Sequence, residues 1–127
     1  MAVSRITVAE QIKPLHGSVS IPVKLGATTE AGEIIALQSD GKWDPAVGSA
    51  AVLTTAVAVL GGADGDTVDA VHFGPILCLA GGTVGALVYV SDTAGEPGDT
   101  AGTKSTIVGF AWDAVTLFVK QQIVNLT

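Results

Sequence analysis

Apolar and polar positions alternate between Val19 and Leu25. Val19, Ile21, Val23 and Leu25 fall on one side, Ser20, Pro22 and Lys24 on the other. A period of two marks a β-strand with one covered face. Pro22 has no N–H to give to a ladder, so this strand is expected at an edge or with only partial pairing. Upstream, Ile6 and Val8 repeat the alternation briefly before Pro14 and Gly17 break it. A short helix from Thr7 is a second reading of that stretch, because Thr7 and Glu10 stand at capping-box spacing; it would have to stop before Pro14. Residues 1–27 together read as an extended arm, about 90 Å long if fully stretched.

From Thr28 onward, short apolar runs are separated by turn formers at strand-like intervals. Glu33 to Leu37 is the first run, and Ser39-Asp40-Gly41-Lys42 turns it back into Trp43. Ala51 to Leu60 follows, although its alanines also suit a helix. After Gly61-Gly62-Ala63-Asp64-Gly65 come Thr67 to Phe73, Ile76 to Leu79 and Ala86 to Val90, with Gly81-Gly82 between the last two. Residues 91–106 hold no large apolar side chain and read as a solvated loop. Ile107 to Trp112 and Val115 to Gln121 close the chain around an Asp113-Ala114 turn. Beyond the arm, no window sustains a capped 3.6-residue period. The expected fold class is all-β: a glycine-rich barrel or sandwich of about seven or eight strands over residues 28–127, carrying the arm of residues 1–27.

Composition narrows the function classes. The 127 residues suit one ordinary domain, and 14% charged residues is well below the share of about 25% usual in soluble domains. A net charge of −6 argues against nucleic-acid binding, which needs a basic face. The charge is uneven: Arg5, Lys13 and Lys24 outweigh Glu10 in residues 1–27, while eleven acids face three lysines in the remainder. No apolar run of signal-peptide length opens the chain. The uncharged stretches 45–63 and 70–91 are broken by Gly, Pro, Ser or Thr and bracketed by aspartates, so no membrane contact is expected.

Candidate chemistry is sparse. His16 and His72 are the only histidines, and no Gly-x-Ser-x-Gly elbow accompanies them. His72, between Val71 and Phe73, reads as a strand residue with a satisfied ring. Asp64, Asp66 and Asp69 resemble half of a calcium loop, but Val68 and Pro75 stand where oxygen ligands would be needed, which favours a tight turn. Gly81, Gly82 and Gly85 precede a strand rather than the helix N-terminus a phosphate cradle requires. Asp40-Gly41-Lys42 loosely resembles the lysine hairpin of lipoyl and biotinyl carrier domains, without their apolar neighbours. Cys78, inside Ile76-Leu77-Cys78-Leu79, has no basic neighbour to activate it. No catalytic residue, metal or cofactor is expected.

Three stretches carry a resemblance: AGEIIALQSDGKWDPA (31–46), GDTVDAVHFGPILCLAGGTVGALVYVSD (65–92) and STIVGFAWDA (105–114). They are similar, in this order, to the capsid decoration (cement) proteins of tailed bacteriophages. The resemblance implies a small β-tulip-like fold without enzymatic activity or cofactor. It also implies a homotrimer on the outer surface of the virion head, made in the host cytoplasm, that clamps neighbouring major capsid subunits against the pressure of packaged DNA. An acidic body suits such an outer surface, where solubility is needed and nucleic-acid contact is not. The arm's apolar positions, Ile6, Val8, Val19, Ile21, Val23 and Leu25, are the expected capsid-binding residues, adding a strand to a partner's sheet edge. On this reading the arm is mobile until bound, and its removal leaves the body folded. The alternatives are another β-rich virion part of the tail or neck, or a carbohydrate-binding β module, which an exposed Trp43 beside other aromatics would favour. An enzyme ranks third and would need His72 or Asp66 in a closed polar pocket.

Overall fold

The computed structural model describes residues 3–49, 54–104 and 106–123. The protein is all-β. Among the described residues, the only helical piece is a 3-10 turn at Ala9–Gln11, where the capping-box spacing had allowed a helix. Its N-cap is Val8, with no side-chain bond to the turn, and Pro14 follows too soon for propagation.

Among the described residues, twelve strands run in chain order: β1 (Ser4–Arg5), β2 (Lys13–Pro14), β3 (Val19–Lys24), β4 (Ile34–Leu37), β5 (Trp43–Pro45), β6 (Thr55–Ala58), β7 (Thr67–Leu77), β8 (Leu79–Ala80), β9 (Leu87–Val90), β10 (Pro97–Gly98), β11 (Thr106–Ala111) and β12 (Thr116–Ile123). Eight of them form one curled antiparallel sheet in the order β10-β9-β11-β12-β7-β6-β4-β5. The expected helix-or-strand run from Ala51 resolves as β6; residues 51–53 lie outside the described set. The expected loop at 91–106 contains β10, which pairs Pro97 and Gly98 with Val90 and Tyr89.

β7 organises the sheet. The runs 67–73 and 76–79 were expected as separate strands, yet 67–77 is continuous. Gly74 makes this possible: its φ is +104°, and a Cβ there would lie 2.6 Å from Ser18 Cα, so only glycine admits the passing chain. Ala70 and Val71 pair with β3 and β6, while Ile76 and Leu77 pair with β2 and β12. Each residue has two edges, so β2 and β3 follow one edge in succession and leave the other to β12 and β6. The two halves of the sheet diverge from that shared strand, which is what curls it into a half-barrel.

The concave side holds the larger core. Ile34, Val57 and Val71 from one half meet Val88, Val108, Leu117 and Val119 from the other, with Cys78 and Leu79 among them. A second core lies behind β4, β6 and β7, where Ile35, Ala56, Ala58, Val68 and Ala70 pack under Val23, Leu25 and Trp43. The alanines are what make room for an indole there. The curl carries Leu25, just past β3, into a parallel bridge with Trp43 of β5.

The arm therefore differs from its expected state. It is extended, but it lies along its own sheet rather than reaching away from it. The reason is apolar burial: Val3, Ile12, Val23 and Leu25 each complete a core that the body cannot close alone.

Candidate interaction surfaces

The six apolar arm positions separate into two groups. Val23 is buried and Leu25 is 0% exposed, both in the second core. Val8, Val19 and Ile21 are about half exposed, and Ile6 is partly buried against the main core. The period-two stretch is a strand, but burial changes along it. Ile21 stands opposite Ala70 at the rim of the second core, and Val19 opposite Phe73 beyond it. β3 pairs β7 along one edge, and no strand among the described residues pairs its other edge.

Electrostatics hold the start of the arm. The Arg5 side chain is only 9% exposed; its Nη2 lies 2.6 Å from Glu30 and its Nε 2.7 Å from Glu96, with Glu33 at 4.0 Å. Burial pushes the Glu33 carboxyl above its ordinary value, partly offset by a hydrogen bond from the Glu30 backbone and by Arg5. The Val3 amide donates to both carboxylate oxygens of Asp99 at 3.0 Å. Three carboxylates around one buried guanidinium leave no charge on Arg5 uncompensated.

The convex face of the β9-β11-β12-β7 half carries a row of apolar and aromatic side chains. Register places Leu87 opposite Phe110, Phe110 opposite Phe118 and Phe118 opposite Pro75, so four strands contribute one row. Phe110 and Phe118 stack at 5.2 Å, Trp112 lies 5.9 Å from Phe118, and Phe73 meets Phe118 edge-on at 5.3 Å. Trp112 is 58% exposed, Phe73 47% and Leu87 43%. Tyr89 alternates with buried Val88 and Val90, so it shares this face. A depression of about 440 Å³ opens at its end between Leu15, His16, Pro75, Trp112, Asp113 and Phe118. Asp113 caps the neighbouring turn, accepting from the amides of Val115 and Thr116 at 2.9 and 2.8 Å. The bond from Val115 leads in holding its carboxyl below the ordinary carboxylate range.

This face was missed in the sequence. The signal was present in Phe110-Ala111-Trp112 and in Phe118 between Leu117 and Val119, where aromatics alternate with small or aliphatic residues. Only the register shows that these side chains stand side by side.

The candidates for chemistry sit in ordinary structural roles. His72 Nδ1 lies 3.0 Å from the Ala70 carbonyl oxygen, and its ring meets Trp43 edge-on at 5.4 Å. Trp43 is buried, so it offers no platform for a sugar. Asp66 accepts from the Ala63 amide at 2.8 Å, and Asp64 lies 3.5 Å from Lys42 Nζ. Gly82 and Gly85 donate backbone bonds to Ala114 and Ala111 in the turn before β9. Among the described residues, no three His, Cys, Asp or Glu side chains converge as metal ligands. Among them, too, no helix is long and apolar enough to cross a membrane.

Burial pushes the Cys78 thiol up to about 12. In mildly alkaline buffer the native protein is therefore expected to leave a thiol reagent unreacted, and to consume one equivalent once denatured. Rapid reaction of the native protein would contradict the packing given for Cys78.

The chain matches no protein-family model, and no curated protein matches it in sequence.

Proposed function

We propose that this protein is a non-enzymatic decoration subunit of a tailed-phage head, binding the outer capsid surface as trimers and clamping neighbouring major capsid subunits. In this reading its half-barrel is a small β-tulip-like barrel whose N-terminal arm faces the capsid. The supporting observation is the unpaired outer edge of β3, where Val19 and Ile21 remain half exposed although Val23 of the same strand and Leu25 just past it close the second core. A six-residue edge with apolar side chains is a template for strand addition, which supplies backbone hydrogen bonds and side-chain register together. Pro22 limits how much of that edge can donate and discourages pairing with random partners. Strand order lends further support. The stretches that resemble decoration proteins fold as the β4–β5 hairpin, as β7 to β9 with Gly65-Asp66-Thr67-Val68 leading into β7, and as β11.

The test is saturation binding to empty expanded heads. Val19→Lys combined with Ile21→Lys should weaken binding at least about tenfold, since each removes an apolar contact and places a charge at the edge. Both positions are half exposed, so the melting temperature should scarcely change. Undiminished binding by the double variant, or no binding by the native protein, overturns the proposal.

A further inference from the structure

We infer that the convex aromatic face of β9, β11, β12 and β7 is where a second copy of this chain docks. Five of the chain's six aromatic residues stand on or beside this face, in a protein that has few. The equivalent face of the other half-sheet is covered by Val23, Leu25 and Trp43. This half has no such cover among the described residues.

Area supports a protein-sized occupant. At 150–250 Å² per aromatic side chain, the exposures of Trp112, Phe73 and Leu87, with smaller parts of Phe110, Phe118 and Tyr89, leave roughly 450 Å² of apolar surface. A stable interface takes about 800 Å² from each partner, and self-association interfaces are about 65% apolar. The face supplies most of that apolar share. A monomer's largest patch is about 300–600 Å² and is often functional at that size.

Charge selects the partner. Lys13, opposite Leu77, and Lys120, two residues from Phe118, border the face and are exposed. Neither has a carboxylate within salt-bridge distance among the described residues, whereas Arg5 and Lys42 do. Apart from Asp113 at its end, the apolar face is bordered by these lysines, and on a chain of net charge −6 that border is complementary to the excess carboxylates of another copy. A contact between unlike surfaces grows into a ring when its rotation closes. The inference rests on the trimeric part of the proposed function and assigns the face that builds it.

Light scattering on the native protein should give a mass three times that of the 12.7 kDa chain, falling on dilution. Trp112→Glu should raise the dissociation constant at least about thirtyfold, giving the single-chain mass with an unchanged circular dichroism spectrum. Trp112→Phe should retain the assembly. If Trp112→Glu fails to fold, Leu87→Glu on the far side of the face answers the same question. Trp112 emission should shift to shorter wavelength as the native protein associates, because Trp43 is buried throughout. A native protein that stays a single chain at all concentrations, or a Trp112→Glu variant that keeps the threefold mass, overturns the inference. Head binding by the same samples separates the two readings. A single-chain native protein that decorates heads defeats only this inference, and a threefold assembly that ignores heads defeats only the decoration reading.

Discussion

Deleting residues 1–27 should leave a chain that does not fold. Sequence pattern alone suggested the opposite, a removable arm on a self-sufficient body. In the structure the deletion strips one edge of β7 along most of its length and removes Val3, Ile12, Val23 and Leu25 from the two cores. Loss of each such side chain costs about 2–4 kcal/mol when its partners cannot collapse into the space. Four together approach the whole stability of a domain this size, about 5–15 kcal/mol. The truncated chain is expected to show no cooperative urea transition and no near-ultraviolet dichroism from Trp43. Leu25→Ala tests the same argument more gently and should lower stability by about 3 kcal/mol. A truncated body with a native-like transition would show that the arm only rests on the sheet.

Gly109→Ala should be as damaging as Leu25→Ala, although it adds one methyl group. Gly109 sits in β11 where the strand shifts register against both β9 and β12. A Cβ there would collide with the Phe118 carbonyl oxygen, and the next nearest atoms are also backbone. No rotamer change relieves such a clash; a strand must move, and both neighbours of β11 carry the larger core. The expected cost is about 3 kcal/mol, at the upper end for overpacking, or a melting temperature lower by about 12 °C. Gly17→Ala is the control. Its φ of +95° makes it strained, but nothing lies within 4 Å of its Cβ position, so it should cost about 1 kcal/mol. Equal losses for the two variants would mean that backbone conformation, not the Phe118 contact, governs Gly109.

The pattern of side chains along the chain determined the all-β class, the strands at Val19–Lys24, Ile34–Leu37 and Leu87–Val90, and the turns at Gly41 and Asp113. These are decided locally: alternation, β-branching and turn residues act over a few neighbours, whatever the rest of the molecule does. It also marked Cys78 as a small core residue, because nothing polar surrounds it in sequence. Tertiary structure decided where each strand lies and which of its faces meets water. Val19 and Leu25 share one alternating pattern, yet one is half exposed and the other fully buried, because only Leu25 reaches Trp43 across the curl of the sheet. Phe110, Phe118 and Phe73 come from three strands and, with Trp112 just past β11, become a single surface through register, which depends on partners distant in the chain. The fate of the arm was hidden for the same reason. An extended apolar strand looks alike whether it pairs with its own chain or with another, and only the half-built core behind β7 shows that it is needed at home.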